Sequence, residues 1–127
     1  MAITLPTGTR NTLADAVDSL VNAGSANAAG LLRIGTTGMA SVLSEHDLSN
    51  PAFGAAASGV ITANSISDDT SANNTGTAAE AQLLDRDRNI IMTLEVGVGK
   101  EITMDNYAIQ AGTTVKVNSL TITMPAS

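Results

Sequence analysis

Residues 83–97 read LLDRDRNIIMTLEVG, and the fold class turns on what DRDRN at its centre is for. Asp85, Asp87 and Asn89 place oxygen-bearing side chains at alternate positions, as the opening of an EF-hand calcium loop does. Such a loop also needs a glycine for its sharp turn and a closing bidentate glutamate. Ile90 and Val96 stand in those places. The flanks decide the matter. Ile90, Met92, Leu94 and Val96 alternate with Ile91, Thr93 and Glu95; upstream, Thr77, Ala79, Ala81 and Leu83 alternate with Ala78, Glu80 and Gln82. A period of two on both sides predicts an antiparallel hairpin of half-buried strands, with DRDRN as its turn. Asp and Asn suit a turn because they tolerate left-handed backbone and bond locally, and Arg86 and Arg88 oppose a cation.

The same alternation extends outward. LLRIGTT, MASVLSEHDLS, VITAN and EITM each read as short strands, and LSNPAFGAAASG between them is turn-rich, with Phe53 as a buried anchor. In TTVKVNSLTITM, Val115 and Val117 share one parity while Leu120, Ile122 and Met124 share the other. A slip of one residue flips every side chain, so a β-bulge or bend is expected near Asn118–Ser119. SISDDTSANNTG, almost wholly polar, is expected to form a long solvated loop, and SANAAG at 25–30 reads as a linker.

Residues 11–23 break the pattern. Leu13, Val17, Leu20 and Val21 fall on one face of a helix, which Asn11 or Thr12 can cap, with Asp15 completing a capping box and Gly24 ending it. Pro6 and Gly8 predict an extended arm over 1–10, ahead of a single β-rich domain over 11–127. The expected architecture is mainly β: an antiparallel β-sandwich or jelly-roll-like barrel with one short N-terminal helix.

A net charge of −6, with six basic residues in the whole chain, gives no run able to neutralise a phosphate backbone or an anionic membrane. Neither nucleic acid nor membrane is an expected partner. Cysteine is absent, which excludes disulfides and thiolate metal sites. The start, MAITLPTGTR, lacks signal-peptide character, so the expectation is a soluble product of the cytoplasm. Alanine supplies much of the apolar content, and Phe53 and Tyr107 are the only aromatics. Full burial of a Phe or Leu contributes ~1.5–3 kcal/mol and an Ala far less, which points to modest stability reinforced by a partner surface.

The remaining motifs favour no chemistry. GVGKE ends like a P-loop, but Leu94 stands where the first glycine belongs and Glu101 follows Lys100 where Ser or Thr should. In SEHD, Ser44, Glu45, His46 and Asp47 are strand neighbours on alternate faces, so they are not expected to converge as a triad; His46, the lone histidine, is expected at the surface. Asp68 and Asp69 lie in the polar stretch, where no burial is expected to shift their pKa. No catalytic residue, metal or cofactor is expected; by elimination the chain binds or builds.

Four segments carry a resemblance: MAITLPT before the short helix, LSNPAFGAAASGVITANSISDDTSANNTGTA, LLDRDRNIIMTLEVG, and IQAGTTVKVNSLTITMP. In style and order they resemble small virion proteins of tailed bacteriophages, across nearly the whole chain. The role this implies is a capsid decoration, or cement, protein, a group with small β-rich folds, some of them jelly rolls, and an extended arm or loop on the shell. It implies major capsid protein and copies of itself as partners, and a place on the outer surface of the virion after synthesis in the host cytoplasm. Ile3, Leu5 and Pro6 are then the candidate capsid-contact arm. A tail or head–tail connector component is the alternative, and a surface adhesion module a further one; the scarcity of aromatics weighs against the last.

Overall fold

The computed structural model describes residues 4–124. A helix, α1 (Thr7–Val21), precedes nine strands: β1 (Leu31–Gly35), β2 (Val42–Asp47), β3 (Val60–Thr62), β4 (Gly76–Thr77), β5 (Glu80–Leu84), β6 (Ile90–Glu95), β7 (Ile102–Met104), β8 (Ala108–Ile109) and β9 (Val117–Thr123). Pairing is antiparallel throughout the sheets, in the orders β2-β1-β5-β6, β3-β9-β7 and β4-β8. Leu32, Ile34, Leu43 and Leu83 from the first sheet share one buried cluster with Ile61, Ile102, Leu120 and Ile122 from the second. The fold is mainly β and sandwich-like, with one N-terminal helix, as the alternation predicts.

The hairpin forms where expected. β5 pairs β6 from Glu80↔Glu95 to Leu84↔Ile90, with Ile91 left unopposed where the register shifts. That bulge turns the start of β6 outward: Leu94 and Val96 are buried, but Ile90 is 55% exposed rather than facing the core. The second expected irregularity falls in place too. Met104 faces Val117 and Thr103 faces Ser119, so Asn118 is the extra residue, and it spends its amide on Asp105 at 2.6 Å.

α1 departs from expectation at both ends and on its face. It starts at Thr7, so residues 7–10 are helical rather than part of an arm, and it ends at Val21 with Asn22 as its C-cap. Pro6 occupies the N-cap without a side-chain bond; its fixed φ near −60° suits a helix entry. Thr12 donates instead to the Gly8 carbonyl. The buried residues are Ala14, Val17 and Val21, whereas Leu13 and Leu20 are 43% and 52% exposed. At about 100° per residue, Ala14, Val17 and Val21 form one stripe and the two leucines lie beside it.

On the other side of that stripe runs a polar ladder. Asn11, Asp15, Asp18 and Asn22 accept the backbone N–H groups of Gly59, Ala56, Phe53 and Ala52, at 2.7–3.0 Å. The spacing of four, three and four residues keeps them in line on the helix. Four donors of an irregular segment that no sheet could pair are thereby satisfied. The ladder explains why Asp15 is not a capping residue, and it seats Phe53, 2% exposed, in the core.

Residues 66–74 are not a free solvated loop. Ser67 N–H donates to the Asp47 carbonyl at 2.9 Å and Asn73 N–H to that of Leu43 at 2.8 Å, covering the open edge of β2. On its far side the segment exchanges bonds with 112–115, including Asp69 with Val115 in both directions, and Ala72 is buried. Polar composition hid this seam because its partners are backbone groups distant in sequence.

Candidate functional site

The charged residues of the DRDRN turn bond within the fold. In the DRDRN turn the Asp85 carboxylate accepts N–H from Asp87 at 2.9 Å and from Asn89 at 2.8 Å, and also holds the Asn89 side-chain amide. Arg88 takes positive φ, 67°, to close the turn. Asp87 reaches across to the 23–29 segment, accepting N–H from Ser25 and Ala26 at 3.0 and 2.9 Å. Arg86 and Asn27 exchange two further bonds, each to the other's carbonyl, and Arg88 donates to the Ala29 carbonyl. What reads as a linker is thus stapled to the hairpin. Gly24, at φ 116°, allows the approach: a Cβ there would sit 2.8 Å from the Asp87 carboxyl carbon.

Both carboxyls lie below their ordinary range, Asp85 chiefly through the Asn89 N–H and Asp87 through the Ser25 and Ala26 N–H groups. A lowered folded-state pKa means that this stabilisation is complete above the unfolded value of about 3.9 and is lost as pH falls through the lower folded values. Asp87→Ala is therefore expected to lower the melting midpoint at neutral pH, with the gap to the parent chain closing as pH falls below about 3.9. Millimolar calcium is expected to leave both midpoints unchanged. A calcium-dependent rise that Asp85→Ala abolishes would refute the turn reading.

The SEHD stretch corrects the expectation more sharply. Ser44 and His46, two apart on β2, share a face, and both are 0% exposed. His46 Nδ1 lies 2.8 Å from the Ser67 carbonyl and Nε2 lies 2.9 Å from Ser44 Oγ. A carbonyl only accepts, so Nδ1 carries the proton and the Ser44 hydroxyl donates to Nε2. This is the contact of a nucleophile with its base, but sealed from solvent and oriented by a carbonyl rather than a carboxylate. Burial pushes the imidazole below its ordinary pKa, against the opposing pull of the Ser67 hydrogen bond and the charges of Asp69, Asp68 and Asp47. Alternation of faces separates Ser44 from Glu45 but puts Ser44 on the same face as His46, contrary to the expectation that the four do not converge.

The other candidates are likewise engaged. Asp69 accepts N–H from Glu45 and Ser71, and Asp68 lies 3.9 Å from Lys116. Gly97–Lys100 forms a bend closed by Lys100 N–H on the Gly97 carbonyl, with Lys100 paired to Glu95 at 3.2 Å. Of the expected arm, Ile3 lies outside the described residues; Leu5 is half-buried, its carbonyl held by Arg10, and Pro6 enters α1.

What remains open is surface. The large exposed hydrophobics among the described residues are Leu13 and Leu20 on α1, Ile90 on β6 and Val98 at the glycine bend. α1 and β6 are in contact, which brings three of the four onto adjoining elements. A cleft of about 570 Å³ lies between β6 and β9, lined by Met92, Leu94, Ile122 and Met124 with Lys100 and Glu101. A second, of about 360 Å³, is lined by Asp105, Ile109, Gln110, Val115 and Lys116 among others. Neither is lined by Ser44 or His46. Among the described residues no group of three or more His, Asp or Glu converges as metal ligands do. Comparison with protein-family models, with curated proteins and with solved structures returned no match.

Proposed function

We propose that this chain is a non-enzymatic virion structural protein of tailed-bacteriophage type, a capsid decoration protein that adheres in many copies to the outside of a shell of major capsid protein. The observation that carries the reading is the set of exposed apolar residues, Leu13, Leu20 and Ile90, on the adjoining α1 and β6. Exposed apolar residues gathered on neighbouring elements favour a partner surface over solvent. The acidic charge supports an outward position, because an interior packed with DNA repels it. Supporting it further, the carboxylates of the DRDRN turn are engaged in holding the fold, and the lone histidine is sealed within it. The contact surface is then centred on the exposed residues of α1 and β6 rather than being a ten-residue arm alone.

Quantifying copies per particle tests the role. Decoration requires on the order of hundreds of copies, with antibody label spread over the shell; about six or twelve copies, with label confined to the tail vertex, would replace it with a connector ring. The surface is tested separately. Leu13→Glu combined with Leu20→Glu is expected to abolish adhesion to empty shells while leaving the melting midpoint within a few degrees of the parent. Undiminished adhesion would remove this surface from the proposal.

A further inference from the structure

We propose that Ser44 and His46 form a pH-sensitive latch: mild acid opens the seam between β2 and residues 66–74 while the rest of the sandwich stays folded. The geometry is specific. Among the described residues His46 is the one side chain that bonds simultaneously within β2, to Ser44, and across the seam, to the Ser67 carbonyl. Around it the seam consists of separate single bonds: Ser67 N–H to Asp47, Asn73 N–H to Leu43, Asn74 to the Val42 carbonyl, and Glu45 N–H to Asp69. No buried side-chain nitrogen or oxygen among the described residues lacks a hydrogen-bond partner, so the pair is satisfied in its neutral form.

Protonation removes that fit. A proton on Nε2 turns the acceptor into a donor facing the donor hydroxyl of Ser44. Ser44 can rotate to accept, but its own proton then needs a new acceptor in a place without solvent. The imidazolium also carries charge where both residues are 0% exposed. Three carboxylates act on the ring. From the segment come Asp68 and Asp69, from β2 Asp47; Asp68 is shared with Lys116 at 3.9 Å and Asp47 with Arg88 at 4.0 Å. Glu45 and Arg33 pair with each other at 3.1 Å, on positions of β2 and β1 that alternate with His46. The carboxylates oppose the latch's acid sensitivity, and burial outweighs them.

The direction follows from linkage. A folded-state value below the open-state value of about 6.5 means that the closed seam binds fewer protons than the open one. The seam is at full strength above about 6.5 and weakens as pH falls toward the lower folded value, by up to about tenfold in the open population per pH unit. This holds whether or not the chain rides on a shell.

Hydrogen exchange on the full chain tests it, with rates divided by the intrinsic rate at each pH. Between about pH 7.5 and about pH 5.5, protection of the Ser67 and Asn73 amides is expected to fall, by up to about tenfold per pH unit below about 6.5, while that of the β5–β6 hairpin holds. His46→Asn keeps a donor where Nδ1 stands and should erase the pH dependence. Equal protection at both values, a matching loss in the hairpin, or a His46→Asn chain that keeps the dependence would each overturn the latch. Should that variant not fold, ring titration of the parent chain by NMR decides, since one histidine gives one unambiguous signal. A ring that titrates below about 6.5, together with the selective exchange, upholds the latch, and one that titrates at or above it sinks the idea.

Discussion

Phe53→Ala is expected to lower the unfolding free energy by about 3–5 kcal/mol, the range for deleting a buried aromatic ring. The ring is the chain's only phenylalanine and is 2% exposed, in a core otherwise built of aliphatics and alanine. Collapse into the space left behind is hindered, because the backbone around it is pinned. Phe53 N–H is held by Asp18 and Ala52 N–H by Asn22, while Gly54 N–H and Asn64 N–H bond Thr62 and Ala52. A site that cannot relax keeps its cavity, which places the cost in the upper part of the range. Against a total of roughly 5–15 kcal/mol for a domain, that is a large fraction. Urea unfolding should show a lower midpoint at unchanged slope. A change under about 1 kcal/mol, the ordinary mutational average, would mean that the ring is not the anchor of this core.

Leu20→Ala is the instructive contrast. Helical periodicity alone assigns Leu20 to the core and predicts a loss of ~2–5 kcal/mol. With the side chain 52% exposed, the expected change is within about 0.5 kcal/mol. Periodicity locates a helix well but chooses the wrong angle here, since leucine outweighs alanine in any hydrophobic pattern. The inward stripe uses Ala14 because a small residue lets the helix approach, and the polar ladder of Asn11, Asp15, Asp18 and Asn22 fixes the rotation. Asn11 and Asp15 read as capping residues from the sequence, although the regular spacing of all four was there to be seen.

What was legible is what is local. The hairpin around DRDRN and the bulge at Asn118 follow from side-chain parity, a property of adjacent residues. The seam of residues 66–74 depends on carbonyls of Leu43, Asp47 and Val115, which no window of sequence contains. Burial of His46 follows from that seam, so it was out of reach, although its pairing with Ser44 was not. The exposed surface on α1 and β6 is likewise a product of packing: a helix rotated away from its leucines and a bulge that turns Ile90 outward.

Gly30→Ala is expected to cost about 1–3 kcal/mol, the range for overpacking, for the addition of one methyl group. Composition marks Gly30 as the end of a flexible linker, where alanine would be harmless or helpful. In the fold it is the point where three elements close on one another. A Cβ there would lie 2.5 Å from Val21 Cγ1, 2.7 Å from the Leu84 carbonyl oxygen and 3.1 Å from that of Val21. Val21 is fully buried at the end of α1 and Leu84 is the last residue of β5, so neither neighbour has space to withdraw. The Gly30 carbonyl also accepts the Leu48 N–H at 3.0 Å, which ties its own backbone down. Relief therefore requires α1 to move off the sheet, straining the staple between the 23–29 segment and the DRDRN turn. Gly8→Ala supplies the control: a Cβ at this helical position meets nothing within 4 Å. That change should be neutral or stabilise by about 0.4–1 kcal/mol through the unfolded chain. Equal denaturation midpoints for the two variants would show that the 25–30 segment is the loose linker its composition suggests, and that the staple does not hold it.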